Sequence, residues 1–115
     1  MSEFIYKIVP RDLWQAAERA GHFDGAPVDH ADGYIHFSTA SQARETAAKH
    51  FAGIDDLLLV AVDPARLGDA LKWEVSRGGA LFPHLYAPLP LVDVARVEPL
   101  PLGPDGLHRF PDTVR

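Results

Sequence analysis

The sequence predicts a single α+β domain, and three observations carry that prediction. A chain of 115 residues is long enough for one hydrophobic core and short for two. Its periodicities run strand, helix, strand, helix and then a cluster of strands, so the helices gather at the front. One segment, Leu57-Leu58-Leu59-Val60-Ala61-Val62, is apolar without a break, the pattern of a central strand buried on both faces.

Phe4-Ile5-Tyr6-Lys7-Ile8-Val9 is the first strand, and Pro10 ends it. Residues 12–20 make a short helix: Leu13, Ala16, Ala17 and Ala20 recur at helical spacing, Trp14 lies beside that stripe, and Gly21 stops it. Residues 22–32 are of mixed polarity around Pro27 and read as a loop. Gly33-Tyr34-Ile35-His36-Phe37-Ser38-Thr39 is the next strand, running straight into a helix that Ser38 or Thr39 caps and Gly53 ends. After the apolar strand, Asp63-Pro64 breaks the pattern and residues 65–69 form a connector or a single helical turn. Leu71-Lys72-Trp73-Glu74-Val75 alternates, with Leu71, Trp73 and Val75 expected inward and Lys72, Glu74 and Ser76 outward. Gly78-Gly79 makes a turn, residues 80–90 read as irregular or edge-like, and residues 92–100 add a last strand. From Pro101 onward prolines and glycines lack periodicity, so the domain is placed at 1–100 and a flexible tail at 101–115.

Composition narrows the function classes. The absence of cysteine excludes disulfides, thiolate catalysis and Cys-ligated zinc. Met1-Ser2-Glu3 lacks the basic start of a signal peptide, and no stretch nears the ~18 apolar residues a spanning helix needs. A cytoplasmic protein, bacterial in style, is the expectation. The net charge is −5 and the basic residues are scattered, which argues against a long nucleic acid and leaves room for a small anionic ligand. No membrane partner is expected, and the oligomeric state is open.

The strand from Gly33 carries the chemistry. At period 2, Ile35 and Phe37 face a core while Tyr34, His36 and Ser38 face the other way, each roughly 7 Å from the next. A phenol, an imidazole and an alcohol in one row suit a ligand-facing strand. Ser38 and Thr39 stand where a helix begins, and free N–H groups there favour phosphate or carboxylate; either residue also serves as a plain cap. Glu74 projects from its strand, and Arg77 precedes two glycines whose backbone admits close approach. His84 and Tyr86 lie in an aromatic, proline-rich segment suited to a flat ring. Asp29, His30, Asp32 and His36 are near one another, but no His-x-His or His-x3-His pair gives zinc a start, so no metal is expected. Ser38 with His36 does not make a hydrolase pair either, because two residues along a strand is too far for direct hydrogen bonding.

Four segments together resemble the domain-of-unknown-function family 952: Ile5-Tyr6-Lys7-Ile8, the stretch from Asp32 to Thr39, Leu67-Gly68-Asp69-Ala70-Leu71-Lys72-Trp73-Glu74, and the stretch from Arg77 to Tyr86. That family names no activity. More distantly, the order of the Tyr6-Lys7 strand, the Trp14 helix, Gly21 and the Ile35-His36-Phe37 strand is similar to the ADP-ribosyltransferase-like superfamily, in its RNA 2'-phosphotransferase branch. This resemblance implies a split, mostly antiparallel sheet behind two N-terminal helices, with a cleft between the His36 strand and the Glu74–Arg77 turn. It implies His36 as the ligand-facing histidine, Lys7 near a first-strand histidine that touches the nicotinamide-side ribose, Glu74 as a stand-in for a late catalytic glutamate, and NAD as the cofactor. Lys7 in place of histidine, and Ile8-Val9 in place of Gly-Thr, depart from the pattern.

Two readings follow. In the first, a small enzyme or sensor takes NAD, ADP-ribose or a related nucleotide. His36 and Glu74 are then catalytic and Lys7, Tyr34, Ser38, Thr39, Arg77, His84 and Tyr86 bind substrate. In the second, a non-catalytic binding module keeps the fold without the chemistry.

Overall fold

Two periodicities meet in one short stretch of chain, and that meeting organises the molecule. The structure, a computed structural model, describes residues 3–114, with the Arg77 side chain outside that description. Its elements are β1 (Ile5–Pro10), α1 (Arg11–Ala20), β2 (His22–Phe23), α2 (Pro27–Asp32), β3 (Ile35–His36), α3 (Ala40–His50), β4 (Leu57–Val62), β5 (Leu71–Val75), β6 (Leu81–Leu85), β7 (Leu89–Pro90) and β8 (Val94–Leu100). A 3-10 segment, Pro64–Ala70, fills the connector after β4.

One antiparallel sheet has the order β1-β4-β8, a second β3-β6-β5, and β2 pairs with β7. The stretch after Gly33 belongs to both larger sheets. Ile35 and His36 pair with Leu85 and His84 of β6, while Ser38 bridges to Tyr6 of β1 through two backbone hydrogen bonds of 2.8 Å each. The sheet splits between these two pairings.

β4 is the centre of the first sheet and is buried at every position. Its alternation feeds two cores. Leu58, Val60 and Val62 join Ile5, Val9, Trp14, Ile35, Phe37 and Leu85 on one side. Leu57, Leu59 and Ala61 join Tyr6, Ile8, Ala43, Ala47 and Leu100 on the other. On β1 the same parity puts Lys7 between Ile5 and Val9, so a charged side chain is directed into the first core.

Four expectations are corrected. Residues 22–32 are not a loop: Pro27 opens α2 at its first position, where a missing N–H costs nothing, and Gly33 at φ 88° closes it. The helices ahead of β4 therefore number three among the described residues. Residues 81–85 are not irregular; they form the middle strand of the second sheet. Pro83 is tolerated there because its carbonyl accepts from Phe37 N at 2.9 Å, at the position where β3 ends, so only the return bond is lost. On β5, only Leu71 of the three apolar residues turns toward the core; Trp73 and Val75 are exposed. Leu71 pairs with buried Leu85, but the same face has left the core by the Val75–Leu81 pair. Residues 101–114, expected as a flexible tail, lie against the second core here. Val114 is buried, Arg44 Nη2 donates to its carbonyl at 3.3 Å, and His108 Nε2 reaches Ile54 O at 2.7 Å.

Thr39, rather than Ser38, caps α3. Its Oγ1 accepts from Gln42 N at 3.3 Å, and Gln42 Oε1 accepts from Thr39 N at 3.0 Å. Thr39→Ala is expected to destabilise the protein by about 1 kcal/mol. Urea denaturation checks this, with the midpoint falling and the slope unchanged.

Candidate functional site

The site grows from one carboxylate. Asp29 is placed by α2, and Gly25 before it, at φ 123°, leaves no room for a side chain: a Cβ there would stand 2.9 Å from Asp29 Cβ. Asp29 is 2% exposed. Its Oδ2 accepts from Ala26 N at 2.7 Å; its Oδ1 accepts from Lys7 Nζ at 3.0 Å and His36 N at 3.1 Å and lies 2.6 Å from His36 Nδ1. Four donors satisfy the lone pairs an ionised carboxylate offers.

Burial pushes the Asp29 carboxyl up, but the hydrogen bond from His36, the Lys7 charge and two backbone N–H groups outweigh it and hold it down at about 2. Burial lowers Lys7, and the charge and hydrogen bond of Asp29 oppose that shift. The pair is one unit: without Asp29, Lys7 would be a lone charge at 7% exposure.

His36 continues the chain of contacts outward. Its Nε2 lies 2.9 Å from Asp32 Oδ2, so a carboxylate stands at each ring nitrogen. Across the ladder, His84 is the direct partner of His36, and the two rings meet edge to face at 5.5 Å. Tyr34 stacks on His84 at 4.1 Å and lies tilted against His36 at 4.5 Å and Tyr86 at 5.2 Å. His84 Nδ1 is 2.8 Å from Glu74 Oε1, and the Tyr86 hydroxyl donates to the same oxygen at 2.7 Å. The bond from Tyr86, then that from His84, lowers the Glu74 carboxyl; the same bond raises the Tyr86 phenol to about 12. Burial first, then the nearby charges of Asp32 and Glu74, raises Tyr34. Near neutrality both phenols thus keep their protons while Glu74 stays ionised.

These groups edge a cleft of about 580 Å³ whose lining includes Lys7, Asp32, Tyr34, His36, Phe82 and His84. Of the residues singled out in the sequence, Lys7, Tyr34, His36, Glu74, His84 and Tyr86 are linked into one cluster. Ser38 lines the cleft, but its Oγ is 3.0 Å from Thr46 Oγ1. Thr39 is a helix cap. The Arg77 side chain lies outside the described residues. Sequence reasoning weighed Asp29 and Asp32 only as metal ligands and missed them as partners of Lys7 and His36, because a proline taken for a loop was the first residue of a helix. Pro27 followed by an acidic residue within one turn was the available signal.

Chemically, the arrangement offers one imidazole aligned by a single carboxylate, His84 on Glu74, the unit that lets a histidine pass protons. It offers a second imidazole, His36, held between two carboxylates, and a tyrosine face between them.

The chain belongs to a family of proteins of unknown function, DUF952, whose model matches residues 8–97. It is similar to protein CC0527 from Caulobacter crescentus. The X-ray structure of that protein is 53% identical with a TM-score of 0.89, over 92% of this chain and 93% of the other. Its solution NMR structure is 54% identical with a TM-score of 0.83, over 90% of each chain. Comparison with curated proteins gives no match.

The Asp29 hub sets the acid limit of the fold. A carboxyl lowered from 3.8 to about 2 adds stability that is fully present above 3.8 and is lost as pH falls through 2. The gap corresponds to about 2 kcal/mol. Asp29→Asn is expected to destabilise by about 3–5 kcal/mol at pH 7, since it strands Lys7, and to erase that acid-dependent increment. Denaturation of both proteins from pH 7 to 2 checks the two effects, and adding Lys7→Met to Asp29→Asn restores part of the loss.

Proposed function

We propose that this member of the family binds NAD, ADP-ribose or a related nucleotide through its ribose and flat ring, and that it works as a small cytoplasmic enzyme or sensor. One observation carries the reading: Tyr34 stacked on a Glu74-aligned His84, beside His36, at the edge of the cleft. A tyrosine face suits a base or nicotinamide ring, and carboxylates close by suit ribose hydroxyls and the positive charge that develops as a glycosidic bond breaks. The distant likeness to ADP-ribosyltransferase-like proteins supports the same ligand class and puts the cleft beside the His36 strand.

In this reading the roles shift within the cluster. Glu74 and His84 form the acid–base pair, with Glu74 also facing the developing charge. His36 orients a ribose hydroxyl from its fixed position. The phosphate end draws less support: Lys7 is held by Asp29, and at the opening of α3 the Thr39 and Gln42 N–H groups are engaged by the capping pair. A second reading, a binding module without turnover, is favoured by His36, whose ring nitrogens both meet carboxylates of the protein itself.

An NMR titration of labelled protein with NAD, ADP-ribose, AMP and a 2'-phosphorylated nucleotide tests the ligand class. Shifts are expected at residues 33–37 and 82–86, and silence at millimolar ligand would overturn the reading. Glu74→Gln separates the two alternatives: an enzyme loses about 100-fold in turnover of the bound nucleotide with binding kept, whereas a binding module shows no turnover to lose.

A further inference from the structure

The exposed flank of the second sheet carries a surface that the cleft does not use. Trp73 is 46% exposed, Val75 70% and Leu81 51%, and all three lie on one face where β5 pairs with β6. β5 is also an edge strand: among the described residues it pairs only with β6, in unbroken register and without proline or bulge. Proteins usually blunt such an edge. β8, at the edge of the first sheet, shows how, with Pro99 in its ladder and an Arg96–Glu98 ion pair at 3.1 Å. β5 offers a single cation, Lys72, and sets one anion, Glu74, two residues further on the same face.

That spacing is self-complementary. If a second copy adds its own β5 antiparallel to the first, centred on Trp73, Lys72 of each copy stands opposite Glu74 of the other and Leu71 stands opposite Val75. Centring on Lys72 would oppose two ammonium groups, and centring on Glu74 two carboxylates, both unfavourable. A slip of one residue would oppose Trp73 to a charge and carry the apolar face of one copy into the polar face of the other. The charges therefore allow one register. It is a closed twofold contact, in which the same patch serves both partners.

We propose that β5 is the seam of a homodimer: two copies pair antiparallel about Trp73, joining their three-stranded sheets into one of six strands. On the outer face Trp73 of each copy then packs beside Trp73 of the other, and Val75 of each beside Leu71 of the other. On the inner face, Lys72 of the second copy meets Glu74, the carboxylate that aligns His84, so assembly reaches the edge of the cleft. The side chain of Glu74 is 41% exposed, and both hydrogen bonds it accepts fall on Oε1.

Sedimentation of the full chain up to millimolar concentration tests this. The mass is expected to rise from 12.6 kDa toward twice that value, and a mass that stays monomeric overturns the proposal. Lys72→Glu is expected to weaken association about tenfold by opposing two carboxylates. Glu74→Lys opposes two ammonium groups in the same way. Mixed together, the two variants restore both attractive pairs, so an equimolar mixture associates where each alone does not. Val75→Arg, a change at an exposed position that spares Glu74, keeps the test open if Glu74→Lys does not fold; it must also weaken the dimer. A dimer indifferent to Lys72→Glu and Val75→Arg lies on another face, and the proposal fails.

Discussion

The buried carboxylate of Asp29 is the constraint on which the rest of the site depends. It ties together a strand, a helix and a second strand: Lys7 from β1, the N-terminus of α2, and both the backbone and the ring of His36. A charge in the core is stable only when its donors arrive together. Here their arrival fixes the turn at Gly25, the direction of β3 and the plane of the His36 ring. Tyr34 and His84 pack against a ring that Asp29 has already oriented, and Glu74 and Tyr86 attach to those two in turn.

Much of this was legible, and the reasons for success and failure are the same. Period 2 gave the row of Tyr34, His36 and Ser38 opposite Ile35 and Phe37, because parity is fixed wherever a strand touches a core. It gave β4 outright, since six apolar residues in a row leave no face for water. Parity does not say which face is the inner one. On β5 the polar face carries Glu74 to the buried imidazole of His84, and of the apolar face Leu71 alone reaches the core while Trp73 and Val75 are left outside. Such a strand has a site on one side and an open surface on the other. Lys7 is singled out in the sequence by its place in the distant resemblance, as a first-strand cation available to a ligand. Its partner lies 22 residues away on a helix that the sequence did not announce, so nothing in the local pattern revealed that it was already engaged.

The cleft offers an anion little. Asp32 lines it, Glu74 bonds to the lining His84, Lys7 is held by Asp29, and the Thr39 and Gln42 N–H groups at the opening of α3 are engaged by the capping pair. Electrostatics on this scale works against bringing phosphates to the centre of the cluster and in favour of hydroxyls, neutral rings or a positive charge. A dinucleotide could meet both demands only by placing its ribose and ring among the histidines and its phosphates away from them, toward open solvent.

The two histidines make the division of labour plain, because they share a ladder position and a neighbour in Tyr34 yet differ in how many carboxylates hold them. His36 meets Asp29 on one nitrogen and Asp32 on the other, so its ring plane is fixed from both sides. His84 meets Glu74 on Nδ1 only, and that same carboxylate is steadied by the Tyr86 hydroxyl. The strand that the sequence points to thus supplies the histidine held on both sides, and its partner across the ladder the one held by a single carboxylate.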